Sequence, residues 1–384
     1  MRYRKMPGTA DELSLLGYGG MRFPVTGDGK IDRGKSEAIL LKAAELGINY
    51  FDTAYVYHEG ESESFMGEVF ERNGLRGKIN IATKQPSWMM NTPGDMDRVL
   101  DEQLARLRTD RIDYYLLHGM NEERWPAMRK LDAAGFLARA KADGRIRRAG
   151  FSFHDSVRLF FRILGEGDWD FCQIQYNIID TRFQAGLSGL EEAYRRGLGV
   201  VIMEPLHGGL LAKPFPENIA SRAADAGVTA PPAALALRWL WEQEPVGTVL
   251  SGMTEMEDLL ENAATASSDD AESLSLAERL AAESWGEWLT SRRGAQCTAC
   301  RYCMPCPQGV NIPRAFQFYN EAVLGDVERA RAMMARFTKP HEHAKNCGGC
   351  GKCEPLCPQG IPIADTLKEV SRVLGKHPDS DATE

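Results

Sequence analysis

A closed (β/α)8 barrel followed by a small, mostly helical domain is the fold this sequence predicts, on three observations. Over about 265 residues, eight apolar runs rich in Val, Ile and Tyr alternate with amphipathic helical stretches. Strands separated by helices make a parallel sheet, and eight such units suit a closed barrel better than an open sheet. An open doubly wound sheet would carry a glycine-rich dinucleotide turn after an early strand; Gly17-Tyr18-Gly19-Gly20 lacks that spacing. Finally, eight of the nine cysteines crowd between Cys297 and Cys357, which marks a second domain of different chemistry.

The strand candidates, in order, are LSLLGYGG (13–20), INYFDTA (48–54), NIATK (80–84), IDYYLLHG (112–119), IRRAGFSF (146–153), FCQIQYN (171–177), GVVIMEP (199–205) and GTVLSGM (247–253). Helix patterns lie between them. Leu100, Leu104 and Leu107 share one helical face, with Asp97 and Glu102 elsewhere. Gly47, Gly144 and Gly197 stand where helices should stop before the next strand. From about 265 to 290 the chain turns rich in Ala, Ser, Asp and Glu, and its second half has the period of a connecting helix. The predicted domains are a barrel over 1–285, a second domain over 286–376 and a disordered tail over 377–384.

Composition narrows the function classes. Apolar residues at 43% and charged residues at 26% are the balance of a soluble protein with a sizeable core. The net charge of −8 argues against nucleic-acid binding and against a polybasic membrane surface. The N-terminus MRYRKMPGTADEL has no apolar h-region, and no run of about 18 apolar residues occurs, which argues against secretion and a membrane span. A secreted disulfide protein would spread its cysteines, whereas almost 300 residues here hold only Cys172. The expected compartment is the cytoplasm.

The cysteines form an internal repeat. Cys297, Cys300 and Cys303 recur 50 residues later as Cys347, Cys350 and Cys353; Cys306-Pro307-Gln308-Gly309 recurs 51 residues later as Cys357-Pro358-Gln359-Gly360. Three thiolates at C-x2-C-x2-C let one short loop turn its sulfurs toward a common centre, as a cubane cluster requires. A fourth cysteine followed by Pro starts a helix and often ligates the other cluster of a pair. Zinc would predict separated C-x2-C pairs or Cys with His. The repeats therefore predict two [4Fe–4S] clusters. The first repeat has x2 where x3 is usual before its last cysteine, which leaves open which cluster Cys306 serves; the working hypothesis is an exchange, Cys297, Cys300 and Cys303 with Cys357, and Cys347, Cys350 and Cys353 with Cys306. The intervening IPRAFQFYNEAVLGDVERARAMMARF reads as two helices. Cys172, on a strand beside Gln173, should face the helical layer as a buried core thiol.

Asp52 ends one strand, Tyr57 follows five residues later, Lys84 ends the next strand and His118 the one after. Strand ends of a barrel converge at one mouth, where active sites lie. Singly, Asp52 reads as a cap for Thr53-Ala54, Tyr57 as a loop aromatic and Lys84 as a solvated strand end. Together they make a proton donor: an ammonium beside a tyrosine should lower its pKa, a carboxylate should hold the lysine charged, and a histidine can stabilise a developing alkoxide.

The segment Phe51 to Tyr57, with Lys84 and His118, resembles the aldo-keto reductases over about residues 10–265, and the whole chain resembles the subgroup with a C-terminal ferredoxin-type extension. That resemblance implies NAD(P)H-dependent reduction of an aldehyde or ketone, Tyr57 as general acid, Lys84 and Asp52 tuning it, and His118 positioning the carbonyl. It implies nicotinamide binding by Ser152 and Gln173, with Met203 where the family has a stacking aromatic and Phe153 where it has an Asn. Ser251, Gly252, Glu261 and Asn262 match the segment that holds the adenosine half. Gly252 and Asp258 replace basic residues that NADPH-preferring relatives set against the 2′-phosphate, which favours NADH.

His58, His154 and His207 map to the mouth without a metal-ligand spacing and read as surface or pocket histidines, as do the solvated His341 and His343. Trp88, Met89 and Met90 are expected either to line an apolar substrate pocket or to pack against the iron–sulfur domain. Hydride transfer moves two electrons and a [4Fe–4S] cluster moves one, and no flavin signature joins them. Three readings follow: a reductase whose clusters serve a ferredoxin, flavoprotein or other redox subunit; a reductase with structural clusters; or an electron-transfer subunit on a degraded barrel.

Overall fold

The computed structural model describes residues 1–375; the predicted tail, 377–384, lies outside the described residues. The chain divides into two compact units, one of Met1–Thr181 with Ala185–Ala282, the other of Arg182–Gln184 with the chain from Glu283 onward.

The first unit opens with a hairpin, β1 (Tyr3–Lys5) against β2 (Glu12–Ser14). Eight parallel strands then close into a barrel: β3 (Leu16–Gly19), β4 (Tyr50–Asp52), β5 (Asn80–Gln85), β6 (Ile112–Met120), β7 (Ile146–Phe153), β8 (Phe171–Gln175), β9 (Gly199–Met203) and β10 (Thr248–Ser251), with β10 returning to β3. All eight predicted runs form barrel strands. The first was predicted as one strand over 13–20 and is two, because the chain breaks step at Leu15. There the Ser14 hydroxyl donates to the Leu16 carbonyl at 2.7 Å, and the Leu15 carbonyl accepts from the Trp241 indole at 2.8 Å.

The pleat decides what reaches the mouth. Tyr50, Ala82, Leu116, Phe171, Val201 and Leu250 pack inside the barrel with Met6 and Leu13, which the hairpin supplies. Two residues further along the same strands stand Asp52, Lys84, His118, Gln173, Met203 and Gly252. Because side chains alternate across a strand, these also face inward, one pleat above the apolar layer. Ser152 lies beside Gln173 in register.

Odd neighbours face the helices. Leu100 and Leu107 are buried, with Leu104 packed against the same cluster. Cys172 joins that cluster too, and burial pushes its thiol up. Helices ending at Glu45, Ala142 and Arg195 stop at Gly47, Gly144 and Gly197, whose φ angles of 91°, 83° and 81° are left-handed.

In the second unit, helices Ile312–Val323, Val327–Phe337 and Ile363–Leu374 surround Val310, Phe316, Ile361 and Leu367. The first two are the pair predicted between the repeats. Cys306-Pro and Cys357-Pro do not themselves start helices: each leads into a turn at left-handed Gly309 or Gly360, and the helix begins at Ile312 or Ile363. Val310 and Ile361, equivalent in the repeat, each drop a side chain into the core between turn and helix. Among the described residues no helix is long and apolar enough to cross a membrane.

Gly67 is where helix Glu61–Arg72 meets the end of helix Pro93–Arg106: a Cβ there would lie 2.4 Å from the Arg106 carbonyl oxygen. In an open helix Gly→Ala gains about 1 kcal/mol. Here overpacking reverses the sign, and Gly67→Ala is expected to lower stability by about 1–3 kcal/mol in urea unfolding. Gly77→Ala, with nothing within 4 Å, should stay within about 0.5 kcal/mol.

Candidate active site

Lys84 is the hub of the mouth. Its ammonium has three donors and three acceptors around it: Asp52 Oδ1 at 2.5 Å, the Thr53 carbonyl at 2.7 Å and the Tyr57 hydroxyl at 3.3 Å. Lys84 is 1% exposed and Asp52 3%. Burying two charges costs several kcal/mol unless geometry and hydrogen bonds compensate, which these contacts do. Burial works against the lysine's charge, yet the Asp52 carboxylate and Tyr57 prevail and raise its pKa. Burial also raises the Asp52 carboxyl, with Lys84 opposing.

Tyr57 sits in the loop after β4, with Lys84 Nζ 4.8 Å from its ring centroid. Lys84 acts to lower its pKa, as expected, but the expected net lowering is corrected here. Burial is the larger effect, so the phenol lies above its ordinary value of 10 and the ammonium only limits the rise. The hydroxyl is therefore protonated at neutral pH, as a proton donor must be. Next in the chain, His58 and Glu59 adopt left-handed φ of 50° and 56°. His58 Nε2 accepts from the Phe23 N–H at 3.1 Å, which pins this turn to the segment after β3. Burial holds His58 below its ordinary pKa, consistent with a neutral acceptor.

His118 meets the Tyr57 ring edge-on, centroids 6.2 Å apart. Burial, then Lys84, His154 and Arg124, push its pKa well below 6.5, so it is neutral. His207, by contrast, is turned to Asp180 Oδ2 at 3.0 Å. Among the described residues no three His, Cys, Asp or Glu side chains converge on a single-ion site.

Behind Lys84 lies a buried polar network that the sequence reading missed. Glu63 Oε1 accepts from Thr83 and Gln103, both at 2.6 Å, and Oε2 pairs with Arg106 at 3.3 Å. Gln103 also donates to the Lys84 carbonyl at 3.1 Å. Arg106 stacks on Tyr55 at 4.1 Å, two residues before Tyr57. The available signal was a carboxylate on the same helical face as Met66 and Phe70. Across the mouth, Arg22 pairs with Glu204 at 3.0 Å, its stem against Gly252.

Asp52 Oδ2, His118 Nδ1 and Gln173 Oε1 are buried without a hydrogen-bond partner among the described residues. Gln173 otherwise makes only a 3.7 Å contact from Nε2 to the Met203 sulfur, and Ser152 Oγ accepts from the Gly119 N–H at 2.7 Å. An unsatisfied buried acceptor beside an apolar thioether fits a primary carboxamide on a flat ring. Asn262 donates to Ser251 Oγ at 3.3 Å, whereas Gly252, Asp258 and Glu261 are exposed. Trp88 and Met89 are 44% and 39% exposed; Met90 is instead buried, its sulfur 2.9 Å from Gln85 Nε2.

In the second unit Cys297, Cys300, Cys303 and Cys357 line one cavity with Ile312, Phe316, Ile361 and Ile363. Cys306 and Cys347 both act electrostatically on Cys353. Cys353 in turn acts electrostatically on Cys303, as do Cys297 and Cys300. Convergent thiols over an apolar floor fit thiolate-ligated clusters.

Residues 15–275 match the family described as "Aldo/keto reductase family", and residues 296–361 match "4Fe-4S dicluster domain". An uncharacterized oxidoreductase of Bacillus subtilis, YqkF, is 30% identical over 297 residues, 68% of this chain and 90% of the relative. The NADH-specific methylglyoxal reductase of Escherichia coli is 26% identical over 311 residues, 68% and 93% respectively. The holo form of aldo-keto reductase AKR11C1 from Bacillus halodurans superposes with a TM-score of 0.62 at 24% identity, over 74% of this chain and 96% of that one, a likeness of fold.

A neutral His118 has a stability signature. Its folded pKa lies below 6.5, so as pH falls through that value the unfolded chain takes up a proton the folded chain refuses, and stability is lost. Thermal midpoints between about pH 7.5 and about pH 5 should fall less steeply for His118→Phe than for the native chain. Parallel slopes would remove His118 as the source.

Proposed function

The chain belongs to the aldo-keto reductase family and carries a 4Fe-4S dicluster domain, and on that premise we propose that it reduces an aldehyde or ketone with NAD(P)H, Tyr57 being the general acid. One observation carries this reading: a single buried ammonium bonds both the Asp52 carboxylate and the Tyr57 hydroxyl at the barrel mouth.

A reduced nicotinamide, when bound, supplies the hydride. Ser152 and Gln173 would hold its carboxamide and Met203 would give an apolar face to its ring. The chain's own groups then manage the oxygen. The Tyr57 hydroxyl donates its proton to the carbonyl oxygen as negative charge develops there. Lys84 stabilises the phenolate left behind, and Asp52 keeps Lys84 charged and in place. Neutral His118 donates an N–H to the same oxygen, adding an electrostatic contribution in a site shielded from water. NADH is favoured, since the exposed Asp258 would repel a 2′-phosphate; the Escherichia coli relative named NADH-specific is in keeping with this.

We assign the thiols to two [4Fe–4S] clusters in the exchanged arrangement, Cys297, Cys300, Cys303 and Cys357 for one and Cys347, Cys350, Cys353 and Cys306 for the other. The shared cavity supports the first set, and the influence of Cys306 and Cys347 on Cys353 supports the second. Cys350 is exposed, which suits one-electron exchange with a ferredoxin, flavoprotein or other redox subunit. The departures at Phe153, Met203 and Gly252 favour a second reading, an electron-transfer subunit that has lost nicotinamide chemistry.

The deciding experiment is an anaerobic titration of iron-reconstituted protein with NADH and then NADPH, following nicotinamide oxidation and cluster absorbance together, with and without a panel of aldehydes and ketones. Nicotinamide consumed only with a carbonyl present supports the reductase. No response to either nucleotide supports the electron-transfer subunit. Tyr57→Phe should lower kcat by about 10²- to 10⁴-fold with nucleotide affinity retained. In a separate assay Cys357→Ala and Cys297→Ala should each halve the bound iron and leave the same remaining cluster spectrum, the exchange placing both on one cluster; different remaining spectra would overturn it.

A further inference from the structure

The two cysteine loops share a turn and differ in what hangs from it. At an offset of 50 residues, Thr298 corresponds to Gly348, Ala299 to Gly349 and Arg301 to Gly351. The φ angles are 57° and 63° at Ala299 and Arg301, and 67° and 68° at Gly349 and Gly351. Left-handed φ is costly for a residue with a Cβ and free to glycine. The first loop therefore holds two side chains in place against that cost, and the second carries none. Ala299 is 8% exposed, and Thr298 and Arg301 are half-buried. Gln184, part of the same unit, donates its N–H to the Thr298 carbonyl at 3.4 Å. The thiols of this loop share their cavity with Ile312, Phe316, Ile361 and Ile363.

The second loop is bare. Gly348, Gly349 and Cys350 are exposed, and of the eight clustered cysteines, all among the described residues, Cys350 alone is exposed. A Cβ on Gly349 or Gly351 would meet nothing within 4 Å, and one on Gly348 only the Gln308 side chain at 3.7 Å. The turn itself does not demand glycine, since the first loop makes it with Ala and Arg. What the glycines provide is an uncovered approach to the thiols beneath.

Electron exchange falls steeply with separation, so side chains standing over a cluster slow it, and solvent exposure also tunes a cluster's potential. We propose that the cluster held by Cys347, Cys350 and Cys353 is the port where a one-electron carrier meets this chain, with Gly348, Gly349 and Gly351 as its aperture, and that the cluster held by Cys297, Cys300 and Cys303 is the shielded member of the pair. Each exchange moves one electron: a reduced carrier loses it and the port cluster gains it, or the reverse. This rests on the two-cluster reading and is indifferent to which fourth cysteine completes each cluster.

The test uses the full, iron-loaded chain, reduced with dithionite, freed of excess reductant and mixed anaerobically with hexaammineruthenium(III), a one-electron oxidant, while the return of cluster absorbance is followed. Cys297→Ala keeps only the port cluster and should reoxidise as fast as the native chain. Cys347→Ala keeps only the shielded cluster and should be several-fold slower. Gly349→Ala with Gly351→Gln covers the port again with side chains that have room, both neutral so that the cationic probe meets no new charge. It should reoxidise several-fold more slowly than the native chain at unchanged iron content. A soluble dysprosium chelate should shorten the spin relaxation of the reduced cluster in frozen Cys297→Ala and leave that in Cys347→Ala as it was. Equal rates and equal relaxation in the two single-cluster variants overturn the proposal with the two-cluster reading intact, and so does a faster Cys347→Ala. A native chain that takes up iron for fewer than two clusters removes that reading and this proposal together. Should the glycine variant lose iron, the single-cluster pair decides; should that pair lose both clusters, the glycine variant decides.

Discussion

Everything at the barrel mouth depends on one buried ion pair, Lys84 with Asp52. Two charges removed from water demand compensation, and the chain provides it by saturating the ammonium with a carboxylate, a backbone carbonyl and a phenol. That demand fixes positions. Asp52 must end β4 and Lys84 must lie across the β4–β5 register, both facing inward, and the loop carrying Tyr57 must fold back over them. The apolar layer of Tyr50, Ala82 and Leu116 beneath keeps water from reaching the pair from below. Shielded in this way, the pair holds its charge where a solvated lysine would exert little influence on a neighbouring phenol.

The barrel was legible from the alternation of strand runs with helical stretches, and Asp52, Lys84 and His118 because each ends a strand, with Tyr57 in the loop beside them. The structure adds the pleat: two residues beyond the interior apolar residues stand Asp52, Lys84, His118, Gln173, Met203 and Gly252. The cysteine repeat was legible for a similar reason, since spacing within a short loop is itself geometry. What escaped involves balances or partners distant in sequence. The direction of the Tyr57 shift is a contest between burial and one ammonium, and only the packed structure shows that burial wins. The Glu63–Arg106 contact joins residues 43 apart on two helices, a pairing that neither helix's own pattern specifies. Arg22 and Glu204 are 182 apart. The break at Leu15 escaped because LSLLGYGG satisfies a strand pattern throughout; an indole from Trp241 ends the pairing there.

The network behind Lys84 explains how a long side chain is held still enough to matter. Thr83 faces the helices while Lys84 faces the barrel, so Glu63 grips the strand from its outer side one residue from the hub. Through Arg106 the same carboxylate reaches the Tyr55 ring and thus the loop of Tyr57. The two partners in the 3.3 Å contact are therefore braced by one buried anion, and His58 braces the loop from its other end. Such bracing separates a positioned donor from a merely nearby one.

The same costs bear on whether this barrel has become a passive scaffold. Buried ion pairs contribute little net stability, and replacing them with well-packed apolar groups is often neutral or favourable. Buried acceptors without partners, such as Gln173 Oε1, and a histidine atom in the same condition, His118 Nδ1, are direct penalties. A chain under selection for folding alone would lose these groups before it lost the apolar layer below them. Three such atoms, Asp52 Oδ2, His118 Nδ1 and Gln173 Oε1, share one layer at the mouth end of the barrel, although others, such as Tyr50 Oη and Ser36 Oγ, lie elsewhere. The departures at Phe153, Met203 and Gly252 leave Asp52, Tyr57, Lys84 and His118 and their mutual contacts in place. A buried ion pair kept beside three such atoms at the mouth supports the proposed reading in which the barrel still uses them.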